Sequence, residues 1–340
     1  IAGDHNQNLS FTMSKLNLSH NGIYTLIYYS QDALENTEPH HTAALAVDTI
    51  PPATTLSING SSYMDDQQRT WINETATVIL EALDDGLPPA GINETIYTID
   101  DENPRVYTEP FTLPTGPHLL HYYSRDNVGN SETELVRQVI VDALPPTTSI
   151  SYENPVYYGQ TETWVTSHTN ITLTASDKQS GAEEIYYRVD DGPWITYTTP
   201  VAIPWEGSHV ISMYSVDQVG NTEPIVNTTI IVHDTPPQIT IDTPQSGWIH
   251  LFGRPILPVL SRHAVIIGDL TVSVTTQTTP SIMRNVSFAL DGTLQFIDEK
   301  PPYTWKYTNS LFFGHDIQIL AADQLGHLTK KTIHVFIVNV

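Results

Sequence analysis

An aspartate-centred segment recurs along the chain and limits the folds it can adopt. The stretch 116–130 alternates apolar and polar residues with period two and then turns at Asp126-x-x-Gly129. This pattern is typical of a β-strand that enters a hairpin. Equivalent segments end at Asp32, Asp217 and Asp323, so successive turns lie 94, 91 and 106 residues apart. A period of this length indicates tandem units that fold independently, rather than a solenoid of short repeats.

Proline pairs keep the same period. They follow an apolar strand and an aspartate at Pro51-Pro52, Pro145-Pro146 and Pro236-Pro237, 94 and 91 residues apart. The two markers divide the 340 residues into a partial unit at 1–50, whole units at 51–144 and 145–235, and a divergent unit at 236–340. Units of about 90–100 residues with short strands have the size of immunoglobulin-like β-sandwiches. We therefore expect an all-β protein with almost no helix, whose stiff proline linkers hold the sandwiches in an extended rod.

The composition excludes several classes of protein. Acidic residues outnumber basic ones 38 to 14, giving a net charge of −24, which disfavours nucleic acid and anionic membranes as partners. No run of 18 apolar residues occurs, so we expect no membrane span. The chain has no cysteine and therefore lacks the inter-sheet disulfide of antibody domains.

The repeated motifs resemble a known group of proteins. The Gly-x-His strand leading to Asp-x-x-Gly-Asn, and the Val-Asp-x-x-Pro-Pro linkers, resemble immunoglobulin-like repeats of secreted bacterial and archaeal surface proteins. The strand also resembles strand F of fibronectin type III domains, although His118, His209 and His315 stand where those domains have tyrosine. The last unit, with Phe288–Gly292 and Pro301-Pro302-Tyr303, resembles modules appended to exported hydrolases and adhesins. The resemblance implies the architecture, because such folds host many functions.

The first unit contains only the second half of a repeat. It has the strand from Gly22 to Ser30, the turn at Asp32 and the strand to Val47, but no counterpart of the segments around Trp71 and Trp164. A half-sandwich leaves sheet edges and apolar faces open. Two explanations stay open: preceding residues of a longer polypeptide complete it, or another subunit donates the missing strands.

Eight N-glycosylation sequons occur, about twice the roughly three to four that chance gives. They indicate a glycosylated extracellular surface, although strand-rich sequences also carry many Asn and Thr residues. The sequons begin at Asn8, Asn17, Asn59, Asn73, Asn93, Asn170, Asn227 and Asn285.

Aspartates are predicted to converge where the repeats meet. In an immunoglobulin-like topology the B–C and F–G loops share one end of the sandwich, where the preceding linker also arrives. Clustered carboxylates at flexible loops are ligands for Ca2+. The simpler alternative is that aspartate at such turns accepts hydrogen bonds from the local backbone. The candidate calcium ligands are Asp48, Asp84, Asp85 and Asp126 at the first junction, and Asp142, Asp177 and Asp217 at the second.

No catalytic motif is present, and no cofactor other than calcium is indicated. The sequence has no His-Glu-x-x-His helix, Gly-x-Ser-x-Gly elbow, nucleophilic cysteine or phosphate-binding loop. We therefore expect a non-enzymatic extracellular protein: a glycosylated surface stalk, filament, sheath or adhesin subunit that contacts copies of itself or other surface proteins. The alternative is a carbohydrate-binding or spacer arm of a larger secreted enzyme.

Overall fold

The computed structural model describes residues 16–277, 282–308 and 311–338, and every regular element in them is a β-strand. The described residues therefore include no helix that could cross a membrane. The chain divides into two compact units, which are described separately. The first comprises Ile1–Thr147, Ser176–Glu183 and Ser215–Glu223, and the second Thr148–Ala175, Glu184–Tyr214 and Pro224–Val340.

In the first unit, ten strands form three sheets. They are β1 (Gly22–Tyr28), β2 (His41–Val47), β3 (Ala53–Asn59), β4 (Ser62–Met64), β5 (Thr70–Asn73), β6 (Thr77–Leu83), β7 (Ile92–Ile99), β8 (Arg105–Val106), β9 (Gly116–Asp126) and β10 (Leu135–Asp142). β1 pairs with β2, β3 pairs with β6, and the six-stranded sheet has the order β4-β5-β10-β9-β7-β8. The last two sheets form a sandwich, because Val78 and Leu80 of β6 share one buried core with Ile72, Leu120 and Val139 of the larger sheet.

The strands after the second proline pair repeat this plan. They are β11 (Thr147–Tyr152), β12 (Val156–Tyr158), β13 (Thr163–Val165), β14 (Ile171–Ser176), β15 (Ala182–Val189), β16 (Ile195–Thr196), β17 (Gly207–Asp217) and β18 (Val226–Val232). β11 pairs with β14, and the larger sheet has the order β12-β13-β18-β17-β15-β16. In the second unit, Ile171 and Leu173 of β14 share a core with Val165, Ile211 and Ile230.

The final segment is also a sandwich. Its strands are β19 (Ile239–Thr243), β20 (Trp248–Leu251), β21 (Arg254–Pro258), β22 (Ala264–Ile267), β23 (Leu270–Thr276), β24 (Met283–Leu290), β25 (Thr293–Asp298), β26 (Tyr303–Tyr307), β27 (Phe312–Asp323) and β28 (Leu328–Val338). The sheet β19-β23-β26 packs on the sheet β21-β20-β22-β28-β27-β24-β25. Phe288, Ile317 and Ile319 are fully buried between them.

The described chain is therefore all-β, and from β3 onward it forms immunoglobulin-like sandwiches, as the sequence predicts. The period-two pattern works because alternate side chains of each long strand enter the core between the sheets. The segment 247–265 contains the strands β20 and β21 and the start of β22. Trp71 and Trp164 lie in the short strands β5 and β13, which the sequence pattern did not predict.

Candidate functional site at the repeat junctions

The repeated aspartate closes the turn that follows the long strand of each repeat. Oδ1 of Asp126 accepts hydrogen bonds from the backbone N–H groups of Val128 (3.0 Å) and Asn130 (2.8 Å), and Oδ2 accepts one from Nδ2 of Asn130 (2.6 Å). Burial raises the pKa of Asp126, but the hydrogen bonds from Asn130 and the backbone outweigh it and hold the pKa below its ordinary value. The same bonds occur around Asp32 and Asp217. They also occur around Asp323, where the side chain of His327 takes the place of the asparagine.

Two further residues of the turn hold the linker and the strand, and sequence reasoning missed both. The amide of Asn130 also donates to the Asp48 carbonyl (3.1 Å), so the turn is tied to the preceding linker. Asn221 makes the equivalent bond to the Asp142 carbonyl (3.0 Å). Glu132 accepts a bond from the Ser124 backbone N–H (2.7 Å). The sequence does show that these residues recur, because Asn and Glu follow the turn aspartate by four and six residues in each of the first three repeats.

At the first junction three of the predicted calcium ligands meet. Asp48, Asp84 and Asp126 each present a carboxylate oxygen, and these atoms lie within 4.8 Å of one another. Asp85 is exposed and does not join the group. A Cβ on Gly86 would lie 2.5 Å from both carboxylate oxygens of Asp48, so any larger residue here would displace the Asp48 side chain.

Backbone groups surround the same carboxylates. Asp48 accepts hydrogen bonds from the N–H groups of Ile50 (3.0 Å) and Ala90 (2.7 Å), and Asp84 accepts one from that of Gly91 (2.7 Å). These bonds stabilise negative charge without an ion, so both explanations of the aspartates apply to this junction.

The second junction differs. Asp142 and Asp217 are fully buried, and Asp177 is half-buried. Asp142 accepts a hydrogen bond from the Ser180 N–H (2.9 Å), and Asp177 accepts one from the Gly181 N–H (2.8 Å). Among the residues with described coordinates, these three carboxylates do not form a close group like that of the first junction.

An apolar residue in the turn packs against an earlier repeat. Val219, two residues after Asp217, lies in one buried cluster with Trp71 and Ile140, and Tyr63 packs against it. Nδ2 of Asn73 donates to the Val219 carbonyl (3.2 Å). We call the residue two positions after the turn aspartate the knob, and the three side chains that receive it the socket.

A second knob and socket lie in the second compact unit. Leu325, two residues after Asp323, is buried with Ile282 and Trp164, and Tyr157 and Ile231 pack against them. The two sockets occupy the same register positions. Trp71 pairs with Ile140 and Tyr63, and Trp164 pairs with Ile231 and Tyr157. Since their strand neighbours face the sandwich cores, both sockets lie on the outer faces of the larger sheets.

The repeated histidine bridges two acceptors. Nδ1 of His118 lies 2.9 Å from Oδ2 of Asp100, and Nε2 lies 2.9 Å from the Pro114 carbonyl. A neutral imidazole donates to one of these acceptors and a protonated one to both. Asp100 has a left-handed backbone (φ 54°), and the Leu119 N–H and His118 lower the pKa of its carboxyl. His209 with Asp190 and His315 with Asp291 repeat the arrangement.

The sequons differ in their surroundings. Asn17, Asn59, Asn93 and Asn227 are exposed, and Asn170 is exposed while its amide donates to Glu153. Asn285 is half-buried. Asn73 is also half-buried, and its amide contacts the Val219 carbonyl. Asn8 lies outside the described residues.

The fold and the turns define a class of protein, tandem immunoglobulin-like β-sandwiches. No protein-family model and no curated protein sequence matches the chain. Among solved structures, the fibronectin(III)-like modules of Clostridium thermocellum CbhA match with 16% identity, covering 56% of this chain and 95% of that one, at a TM-score of 0.32. The protocadherin gammaB7 EC3-6 cis-dimer structure matches with 13% identity, covering 93% and 84%, at a TM-score of 0.31. A 1.5-MDa bacterial ice-binding adhesin matches with 12% identity, covering 86% and 100%, at a TM-score of 0.29. At these identities the likeness is one of fold.

Proposed function

We propose that the chain is a non-catalytic structural part of an extracellular surface protein, in which consecutive immunoglobulin-like domains are fixed to one another. The domains are 51–144, 145–235 and 236–340, with a partial domain at 1–50. The observation that carries the proposal is the buried contact of Val219 with Trp71, repeated by Leu325 with Trp164. A connection that needs only to join domains has no requirement for such contacts, whereas a stalk or adhesin arm must resist bending between them.

The exposed sequons support an extracellular location. Asn59, Asn93 and Asn227 are exposed, so a glycan on any of them meets solvent. A net charge of −24 keeps such a surface soluble and repels unrelated acidic partners.

The hairpin of β1 and β2 supports a role in assembly. Within the described residues these strands pair with each other alone, and Ile23 and Ile27 are exposed on one face. Addition of a strand from another subunit would satisfy the free edge of β1.

Calcium at the first junction is part of the proposal. Asp48, Asp84 and Asp126 supply three oxygen ligands, and the hard oxygen donors suit Ca2+. An ion there would fix the linker to the loops of residues 51–144.

The location is tested on cells that produce the protein. Protease applied to intact cells should release peptides of this chain, and mass spectrometry should find glycans at Asn59, Asn93 or Asn227. Peptides that appear only after lysis, without glycans, would contradict the extracellular proposal.

A carbohydrate-binding arm is the second candidate, and an aromatic cluster favours it. Tyr186 and Tyr214 stack with ring centroids 5.0 Å apart, Trp194 meets Tyr214 edge-on at 4.8 Å, and the Arg188 guanidinium lies 4.8 Å from the Trp194 ring. Aromatic rings supply apolar surface, and the tyrosine hydroxyls and the arginine guanidinium supply hydrogen-bonding groups, a combination found in small-ligand sites. Glycan-array binding that is lost in a Trp194→Ala variant would support this function, and absence of any binding would remove it.

A further inference from the structure

The last sandwich has a third socket, and no described residue fills it. Ile249, Val265 and Phe336 are in register across β20, β22 and β28, at the positions of Tyr157, Trp164 and Ile231. The long strands β17 and β27 establish that these positions are equivalent. Ile231 pairs with the residue of β17 nine positions before Asp217, and Phe336 pairs with the residue of β27 nine positions before Asp323.

The third socket is apolar and open to solvent. Its neighbours in sequence, Ala264, Ile266 and Val335, face the core, so its own side chains face outward. Phe336 is 44% exposed, and the next row of the same face adds Leu251 and Val338, which are also exposed. An apolar surface of this kind on a sheet is normally covered by another element.

A knob in the first repeat is exposed. Leu34, two residues after Asp32, is 83% exposed, although its turn has the same hydrogen bonds as the turns of the two buried knobs. Val128 is exposed as well, and its turn is tied to the linker by Asn130 as the turn of the buried Val219 is by Asn221, so mutation of each exposed knob decides between them. Leu34 therefore presents the preformed shape of a knob with no described socket to receive it.

The charges on the two surfaces permit contact. Residues 236–340 hold seven basic and seven acidic residues, so they carry none of the chain's net charge. Residues 16–50 hold four acidic residues and no basic one. Arg254 pairs with Leu251 beside the third socket, and Glu35 follows Leu34, so opposite charges border the two surfaces. Contacts among the acidic repeats would instead meet like-charge repulsion.

We propose that Leu34 of one copy inserts into the Ile249–Val265–Phe336 socket of a second copy, so that copies associate head to tail. Leu34 would thus bind a socket of another molecule in the way that Val219 and Leu325 bind sockets of their own chain. Because the two surfaces differ, each copy binds one neighbour through its knob and another through its socket, so the association extends beyond a dimer into open chains or rings. The inference concerns only the self-association part of the proposed function, so its failure leaves the surface location to be judged by protease treatment of cells.

Sedimentation velocity over a wide concentration range tests the proposal. The unmodified chain should form species larger than dimers as concentration rises. Leu34→Asp and Phe336→Asp should each weaken association by at least about tenfold, because each buries a charge in an apolar contact. Val128→Asp is the matched control and should associate like the unmodified chain. Circular dichroism of each variant checks that these exposed substitutions leave the fold intact.

Mixing the variants separates this arrangement from a symmetric one. Leu34→Asp keeps a socket and Phe336→Asp keeps a knob, so an equal mixture should form dimers and nothing larger. Because the chain has no cysteine, Leu34→Cys and Phe336→Cys can also be mixed and oxidised, and they should give one disulfide-linked heterodimer. A monomer at all concentrations, or unchanged association of Leu34→Asp, would overturn the proposal. Binding to lipid vesicles without self-association would overturn it too, by assigning the apolar surface to a membrane.

Discussion

Val219 is fully buried against Trp71, although the two residues belong to different repeats. A turn residue of the third repeat thus covers an apolar position on the outer face of the second. Leu325 and Trp164 repeat the relationship further along the chain. A buried side-chain contact therefore joins the two repeats in addition to the covalent chain.

The turn aspartate should contribute strongly to stability. Asp217 is fully buried and accepts hydrogen bonds from Val219, Asn221 and the Asn221 side chain, so Asp217→Ala leaves three donors without their acceptor. We expect a loss of roughly 2–3 kcal/mol in the free energy of unfolding, measured by urea denaturation. Asp85→Ala, at an exposed position, should change it by less than about 0.5 kcal/mol. Equal effects of the two substitutions would contradict this account of the turn.

Stability should fall in acid. Burial raises the pKa of Asp65, but hydrogen bonds from the Trp71 indole and from Arg69 lower it to about 2, from an ordinary value of 3.8. A carboxyl whose pKa is lower in the folded state stabilises the protein above the unfolded value, and this stability is lost as the pH falls through the folded value. The midpoint of thermal unfolding should therefore fall as the pH is lowered from about 4 to about 2. Asp65→Asn should make the midpoint depend less steeply on pH in that range. A midpoint that is independent of pH there would show that these bonds contribute nothing.

The histidine bridge can be tested against a neighbouring histidine. The ring nitrogens of His118 contact Asp100 and the Pro114 carbonyl, so His118→Ala removes the hydrogen bonding of the imidazole to these acceptors and should cost about 1–2 kcal/mol in chemical denaturation. Nδ1 of His121, on the same strand, lies 3.3 Å from a carboxylate oxygen of Glu134 at the surface, and His121→Ala should cost less than about 0.5 kcal/mol. A larger loss of stability for His121→Ala than for His118→Ala would contradict a stabilising role of the His118 contacts.

The repeat architecture followed from the sequence because its two markers are local. Alternation along Gly116–Asp126 and Gly207–Asp217 predicts long strands, and the aspartate turns form their bonds within five residues, whatever the tertiary structure. The register positions of Trp71 and Trp164 were also visible, since the two residues recur at matching places.

The junction contacts could not be predicted in this way. Val219 and Leu325 look like ordinary turn residues, and equivalent residues at Leu34 and Val128 are exposed. Whether such a side chain is buried depends on a surface from another repeat, which periodicity does not describe. For the same reason Asp48, Asp84 and Asp126 come together while Asp85, adjacent to Asp84 in sequence, points to solvent.

Calcium should act at the first junction. Millimolar Ca2+ should raise the midpoint of thermal unfolding, and EDTA should lower it, because Asp48, Asp84 and Asp126 present oxygens within 4.8 Å of one another. Asp84→Asn should abolish the response, whereas Asp177→Asn at the second junction should retain it. Identical midpoints with calcium and with EDTA would assign the aspartates to backbone hydrogen bonding alone.

Hydrogen exchange of the backbone amides in the full chain, read by mass spectrometry, tests the central claim that each buried knob fixes one repeat to another. The turns at Asp217 and Asp323 should exchange slowly and the turn at Asp32 quickly, because Val219 and Leu325 are buried and Leu34 is exposed. Trp71→Ala should accelerate exchange at 217–221 and leave 323–327 unchanged. Similar exchange in all these turns, or no effect of Trp71→Ala at 217–221, would contradict the account.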